Sequence, residues 1–158
     1  PYASAKLVVN QKKLIGYGLS QKKDHPVSDY SFSYYIKQTN DAILLRHKNM
    51  TESNTEKIIK WMYERKGLPY DEMKLIKSFF NRLFNETFQL FMKEGIKENL
   101  SKEDFKKMSK PLICGTIIAF SYRAADLKVS DEIKNLNNVW PKDYLLSDYF
   151  NPIIRFRR

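Results

Sequence analysis

The chain has 158 residues, 42% of them hydrophobic and 14% aromatic, and carries 28 basic against 18 acidic side chains for a net charge of +10. That composition is too apolar for a disordered chain, and its length suits a single domain, 1–158, burying roughly two-thirds of its unfolded surface. One cysteine excludes a disulfide scaffold and, with two histidines, leaves no four-ligand zinc site without carboxylates, while the longest apolar run, Leu112–Phe120, is too short to span a membrane.

The first fifty residues read as strands. Lys6–Val9 and Leu14–Leu19 form one expected hairpin around Asn10-Gln11, with Gly16 and Gly18 leaving one side of the second strand poor in side chains. Residues 21–28 are a polar connector. Tyr30, Phe32, Tyr34 and Ile36 then alternate with Ser31, Ser33, Tyr35 and Lys37, a period of two that predicts a strand with an aromatic row. Thr39-Asn40-Asp41 supplies a turn, and Ala42–Lys48 returns, so a second hairpin is expected. Tyr30, Phe32 and Tyr34 would face the core, leaving Tyr35 as the exposed aromatic.

From residue 51 the pattern turns helical. Ser53-Asn54-Thr55-Glu56 has capping-box spacing and predicts a helix from about Asn54 to Lys66, stopped by Gly67. A long helix over 70–94 follows Leu68-Pro69, with Asp71 and Glu72 near its positive end. Ser101–Asp104 starts another, and Pro111 interrupts it. Leu112–Leu127 is apolar nearly all round and reads as the central buried helix. A polar stretch, Ser130–Asn138, leads to Trp140-Pro141 and a short helix through Tyr149. The expected class is α+β: a small N-terminal antiparallel sheet of two hairpins, then four or five helices around a central apolar one. The chain starts at Pro1 and ends in Arg155-Phe156-Arg157-Arg158, as a piece excised from a longer protein would. No signal or transit segment stands in it, and the expected setting is cytoplasmic.

A charge of +10 attracts polyanions, because each neutralised phosphate releases a counterion. Twenty-one of the cations are lysine and seven arginine, and Asn, Ile, Tyr and Phe are plentiful, a mixture that AT-rich coding also yields. The excess is densest in residues 1–50 (+5) and in the last four residues. Lys12, Lys13, Lys22 and Lys23 sit on expected turns beside tyrosine-rich strands, with Arg46 and Lys48 near. Together with Tyr35 for stacking and the terminal Arg155, Arg157 and Arg158, they make the candidate nucleic-acid surface. DNA or RNA is the expected partner, in a role without catalysis or cofactor. The alternative partner is another protein, docked on the 70–94 helix through Phe79, Phe84, Phe88 and Met92, since its apolar stripe covers roughly 220° and needs covering from two sides.

Signals for catalysis are sparse. His25 and His47 have no neighbouring nucleophile or carboxylate, and Cys114 sits in the most apolar run. Arg123 and Asp126 are spaced to pair on one helix face. A hydrolase or nuclease would need a cleft in which Asp126, Asp131 or Glu132 meets His47 or a metal. No phosphate-binding glycine loop, His-Glu-x-x-His or Gly-x-Ser-x-Gly occurs.

Overall fold

The computed structural model describes residues 5–17, 26–76, 112–131, 136 and 139–157. In chain order these form β1 (Leu7–Val8), β2 (Lys13–Gly16), β3 (Ser28–Ser31), α1 (Phe32–Gln38), β4 (Asp41–His47), α2 (Glu52–Tyr63), α3 (Cys114–Ala124), α4 (Pro141–Leu146) and β5 (Phe150–Arg157). The fold is mixed α+β with two small antiparallel sheets, β1-β2-β3 and β4-β5.

The first hairpin forms because the Asn10 side chain folds back on the chain. Its Oδ1 accepts the backbone N–H groups of Lys12 (2.9 Å) and Lys13 (3.0 Å), which closes the turn and sets Leu7 opposite Ile15. β3 then adds along β2, from Lys13 opposite Ser31 to Gly16 opposite Ser28.

The second expected hairpin is replaced by a different arrangement. After Ser31 the chain turns into a helix, because Ser31 Oγ accepts the Tyr34 N–H and caps it. Phe32, Tyr35 and Ile36 are spaced i, i+3, i+4, so the aromatic-rich stretch satisfies helical period as well as period two. Ser31 decides between them. All three are half-buried, and the exposed aromatic is Tyr34, not Tyr35. β4 therefore has no partner beside it in sequence. It pairs with the C-terminal strand β5, from Asp41 opposite Arg157 to His47 opposite Phe150, with a bulge at Leu44/Leu45. The short helix expected through Tyr149 ends at Leu146, and the terminal residues are strand.

α2 starts two residues earlier than its expected cap. Thr51 and Asn54 form the capping box, and Gly67, at φ +86°, reverses the chain beyond it. Val27 holds that reversal by accepting from Gly67 N–H (2.8 Å) and donating to Leu68 O (3.0 Å). In α3 every residue from Cys114 to Tyr122 is buried. Asn54 Nδ2 donates to Ala125 O (2.9 Å), tying the start of α2 to the end of α3. Tyr17, fully buried at the end of β2, donates to Pro69 O (3.2 Å) and accepts from Leu112 N–H (3.3 Å), joining two distant segments to the sheet. Residues 72–76 are helical and begin the segment read as a long helix. The rest of that helix, the Ser101 start and Pro111 lie outside the described residues.

Gly115 is required by close approach. A Cβ there would lie 2.2 Å from Val139 O, at the point where Tyr144 Oη donates to Gly115 O (2.6 Å). Gly115→Ala is expected to cost about 2 kcal/mol through overpacking. Gly67→Ala, with nothing within 4 Å but a left-handed φ, is expected to cost about 1 kcal/mol. Urea unfolding of the two variants checks that order.

Candidate nucleic-acid interface

The structure sorts the basic residues by what they touch. Arg65 is withdrawn from the surface, 6% exposed, with its guanidinium 3.6 Å over the Trp61 ring and Nη1 donating to Trp61 O. Lys66 is paired with Asp29 (2.7 Å) and Lys128 with Asp131 (3.0 Å). Lys6 is turned inward, where its amine donates to Tyr17 O and lies 5.0 Å from the ring centroids of Tyr30 and Tyr35. Burial pushes that amine down to about 8. Tyr35 is thus a ring beneath Lys6 rather than an exposed stacking platform.

Lys12 and Lys13 are exposed on the β1–β2 turn, where Lys12 O accepts the Phe32 N–H (2.9 Å). That contact places the turn beside the start of α1, whose Tyr34 is exposed. Arg46, Arg155 and Arg157 belong to a separate element, the β4–β5 ribbon, and Lys48 lies just beyond the end of β4. Arg46 stands opposite Asn151, both exposed, and Lys48 follows the strand, donating its N–H to Tyr149 O (2.8 Å). Arg155 grips Asp41 through two bonds, Nε at 3.0 Å and Nη2 at 2.6 Å. Arg157 is exposed directly opposite Asp41. Alternation along the strands puts Arg46 and Asn151 on one face and Arg155 and Arg157 on the other. Lys22, Lys23 and Arg158, and the Phe79, Phe84, Phe88 and Met92 surface, lie outside the described residues.

The base of the ribbon is fixed by His47, which is 1% exposed. Nδ1 accepts the Asn49 N–H (3.1 Å), so Nε2 carries the proton and donates to Lys128 O (2.8 Å). The ring packs among Tyr122, Tyr149 and Phe150 at centroid distances of 5.5, 5.9 and 5.1 Å. At the far end Phe156 meets Phe32 of α1 edge-on at 6.1 Å. Between these anchors β5 is open. Asn151 to Arg155 are all exposed, including Ile153 at 46% and Ile154 at 48%.

Of the residues considered for catalysis, His25 and Glu132 lie outside the described residues, and the others are placed as follows. Both nitrogens of His47 are engaged, and Asp131 is taken by Lys128 and the Tyr149 hydroxyl (2.8 Å). Arg123 and Asp126 are exposed, with Asp126 at φ +59° in the turn after α3, so they are not a buried pair. Cys114 is buried and its thiol is pushed up by desolvation, with Lys6 nearby pulling the other way. Among the described residues no group of three His, Cys, Asp or Glu could hold a metal ion, and no helix is long and apolar enough to cross a membrane. The chain matches no family model, and no curated protein or solved structure shows significant similarity to it.

Sequence reasoning missed the ribbon. The signal present was Asn151-Pro152 followed by Ile153, Ile154 and Phe156, and Pro152 sits where a proline is tolerated, beside a bulge on an edge strand.

His47→Ala is expected to cost about 3 kcal/mol, from lost aromatic packing and two orphaned backbone groups, read as a drop in the thermal midpoint. Hydrogen bonding by Arg155 holds the Asp41 carboxyl below the usual aspartate range. A depressed folded-state value means that the pair stabilises above the unfolded aspartate pKa, and that this is lost as pH falls through the folded value. An NMR titration of Asp41 should show the low value in the native chain and a return to the ordinary range in Arg155→Ala.

Proposed function

We propose that the protein binds nucleic acid without catalysis, with duplex DNA as the preferred polyanion and the β4–β5 ribbon as the contact element. The observation that carries this reading is the exposed edge strand β5, with cations on both ribbon faces and a direct Arg46–Asn151 pair. A B-DNA major groove, about 12 Å wide, admits a two-stranded ribbon, whereas the narrow major groove of A-form RNA does not. Arg and Asn are the side chains that read guanine and adenine edges there, and exposed isoleucines suit thymine methyls. Cations on both faces would meet both phosphate walls of one groove. Lys12 and Lys13, on the exposed β1–β2 turn, would extend the contact. A cytoplasmic setting belongs to the same reading, as does an accessory role within a larger protein. A protein partner for the 70–94 segment stays the alternative.

Reversing Arg46, Lys48 and Arg157 to glutamate together is expected to weaken duplex binding at least 100-fold in fluorescence anisotropy, with the thermal midpoint moving little. Reversal of Lys12 and Lys13 should weaken it by less than tenfold. Unchanged affinity in the triple variant would overturn the ribbon assignment.

A further inference from the structure

Helix α1 is a weak helix in a place where a strand would fit. It has seven residues and buries none of them, and isolated helices shorter than about 12 residues are marginal in water. Phe32, Tyr34, Tyr35 and Ile36 are residue types that favour strands over helices. Its start is capped by the 3.3 Å bond from Tyr34 N–H to Ser31 Oγ, and at its end Thr39 Oγ1 donates to Tyr35 O (2.9 Å). The Lys6 amine lies 5.0 Å from the Tyr35 ring and Phe32 meets Phe156 edge-on, while Tyr34 stands 55% exposed.

The next strand has a free edge. Among the described residues β4 pairs with β5 on one side and with no strand on the other. An open groove of about 1230 Å³ is lined by every residue from Asp41 to His47, and by Phe32, Tyr35 and Ile36 of α1. The groove thus runs along β4 and has α1 as one wall. Only Thr39 and Asn40 separate the two elements, and Thr39 is already extended, at φ −113° and ψ 130°. A two-residue connection is what an antiparallel hairpin uses.

With Thr39-Asn40 as its loop, such a hairpin sets Gln38 opposite Asp41, Ile36 opposite Ile43 and Tyr34 opposite Leu45. Tyr34 and Ile36 then share a face with Ile43 and Leu45, and Leu45 packs on the core. The register that the loop dictates is therefore also the one that covers Tyr34. Five residues of strand span about 17 Å, which leaves Phe32 and Ser33 to lead back to β3. Thr39-Asn40 lacks the glycine that tight hairpin turns favour, and the Ser31 cap stabilises the helix, so the strand is the minor form.

We propose that residues 34–38 form a strap with two states: the helix of the structure, and a minor state in which they zip onto the free edge of β4 as a third strand and close the groove. Its consequence for binding rests on the nucleic-acid reading. A third strand adds about 4.8 Å to the ribbon, which a major groove of about 12 Å does not admit, so the strand state is blocked from duplex DNA.

The test is chemical-exchange saturation transfer NMR on the full chain without DNA, which reads the chemical shifts of a minor state. The expected result is a state populated at about 1%, with strand-like carbon shifts over residues 34–38 and altered amides at 41–45. Ser31→Val removes the cap and should raise that population about fivefold. Tyr34→Glu should lower it at least fivefold, since a glutamate there completes a capping box with Ser31 and would meet Leu45 in the strand. Both positions are exposed, so both variants keep the core. A minor state with helical or coil-like shifts, no minor state in Ser31→Val, or a population that the two variants leave unchanged would overturn the strap. Saturating duplex should deplete the minor state of the native chain, and an unchanged population with duplex bound would overturn the blocking role. If duplex does not bind, the nucleic-acid reading and the blocking role fall together, while the strap is decided by the spectra alone.

Discussion

The architecture around the proposed interface depends on His47. A two-stranded ribbon is marginal by itself, because it has no third strand and no sheet face of its own to bury. Here the ring of His47 supplies what a third strand would. It hydrogen-bonds backbone on both sides, to Asn49 and to Lys128, and sits in an aromatic cluster shared with α3 through Tyr122. Phe150 belongs to the same cluster and also meets Tyr144 of α4 at 5.3 Å, so the first residue of β5 is clamped from two helices. Such an anchor requires a neutral imidazole with one donor and one acceptor nitrogen, which is why the histidine is buried and why it is not available for chemistry.

Clamping at the base lets the rest of β5 be exposed. Its outer edge has no strand beside it among the described residues, and its side chains from Asn151 to Arg155 face solvent. Edges of this kind are hazards unless managed, and the management here is of the usual sort: a bulge, a proline and a concentration of arginine. The cations that protect the edge from other strands are the ones that a phosphate backbone would recruit. The net charge of +10 overstates what is on offer, since Arg65 is buried, Lys6 points inward, and Lys66, Lys128 and Arg155 are each held by an aspartate.

Local signals in the sequence were informative where a single side chain closes a local structure. Asn10 in the first turn and the apolar run that becomes α3 act within a few residues of themselves and were legible, whereas α2, expected to run to Lys66 and stop at Gly67, ends at Tyr63 with Glu64 as its cap. Thr51 displaced the expected cap by two residues because Asn54, read as the start of the helix, serves as the N3 partner in the box. The larger failure, the hairpin expected over residues 30–48, comes from an aromatic-rich stretch whose pattern fits both periods. Ser31 resolves it by a hydrogen bond that composition does not reveal. The true partner of β4 lies more than a hundred residues away, and no local pattern encodes a pairing of that separation. For the site, Arg46, Lys48, Arg155 and Arg157 were legible as basic groups, but their gathering at one ribbon was not. Nor was the withdrawal of Tyr35 beneath Lys6.

The most direct test of the central claim is residue-resolved: amide shifts in a ¹H–¹⁵N NMR spectrum as a short DNA duplex is added to the native chain. The account expects the largest changes at Arg46, Lys48, Asn151 and Ile153 through Arg157, with α2 and α3 little affected. Changes confined to the Lys12–Lys13 turn, or none anywhere on β4 and β5, would contradict it.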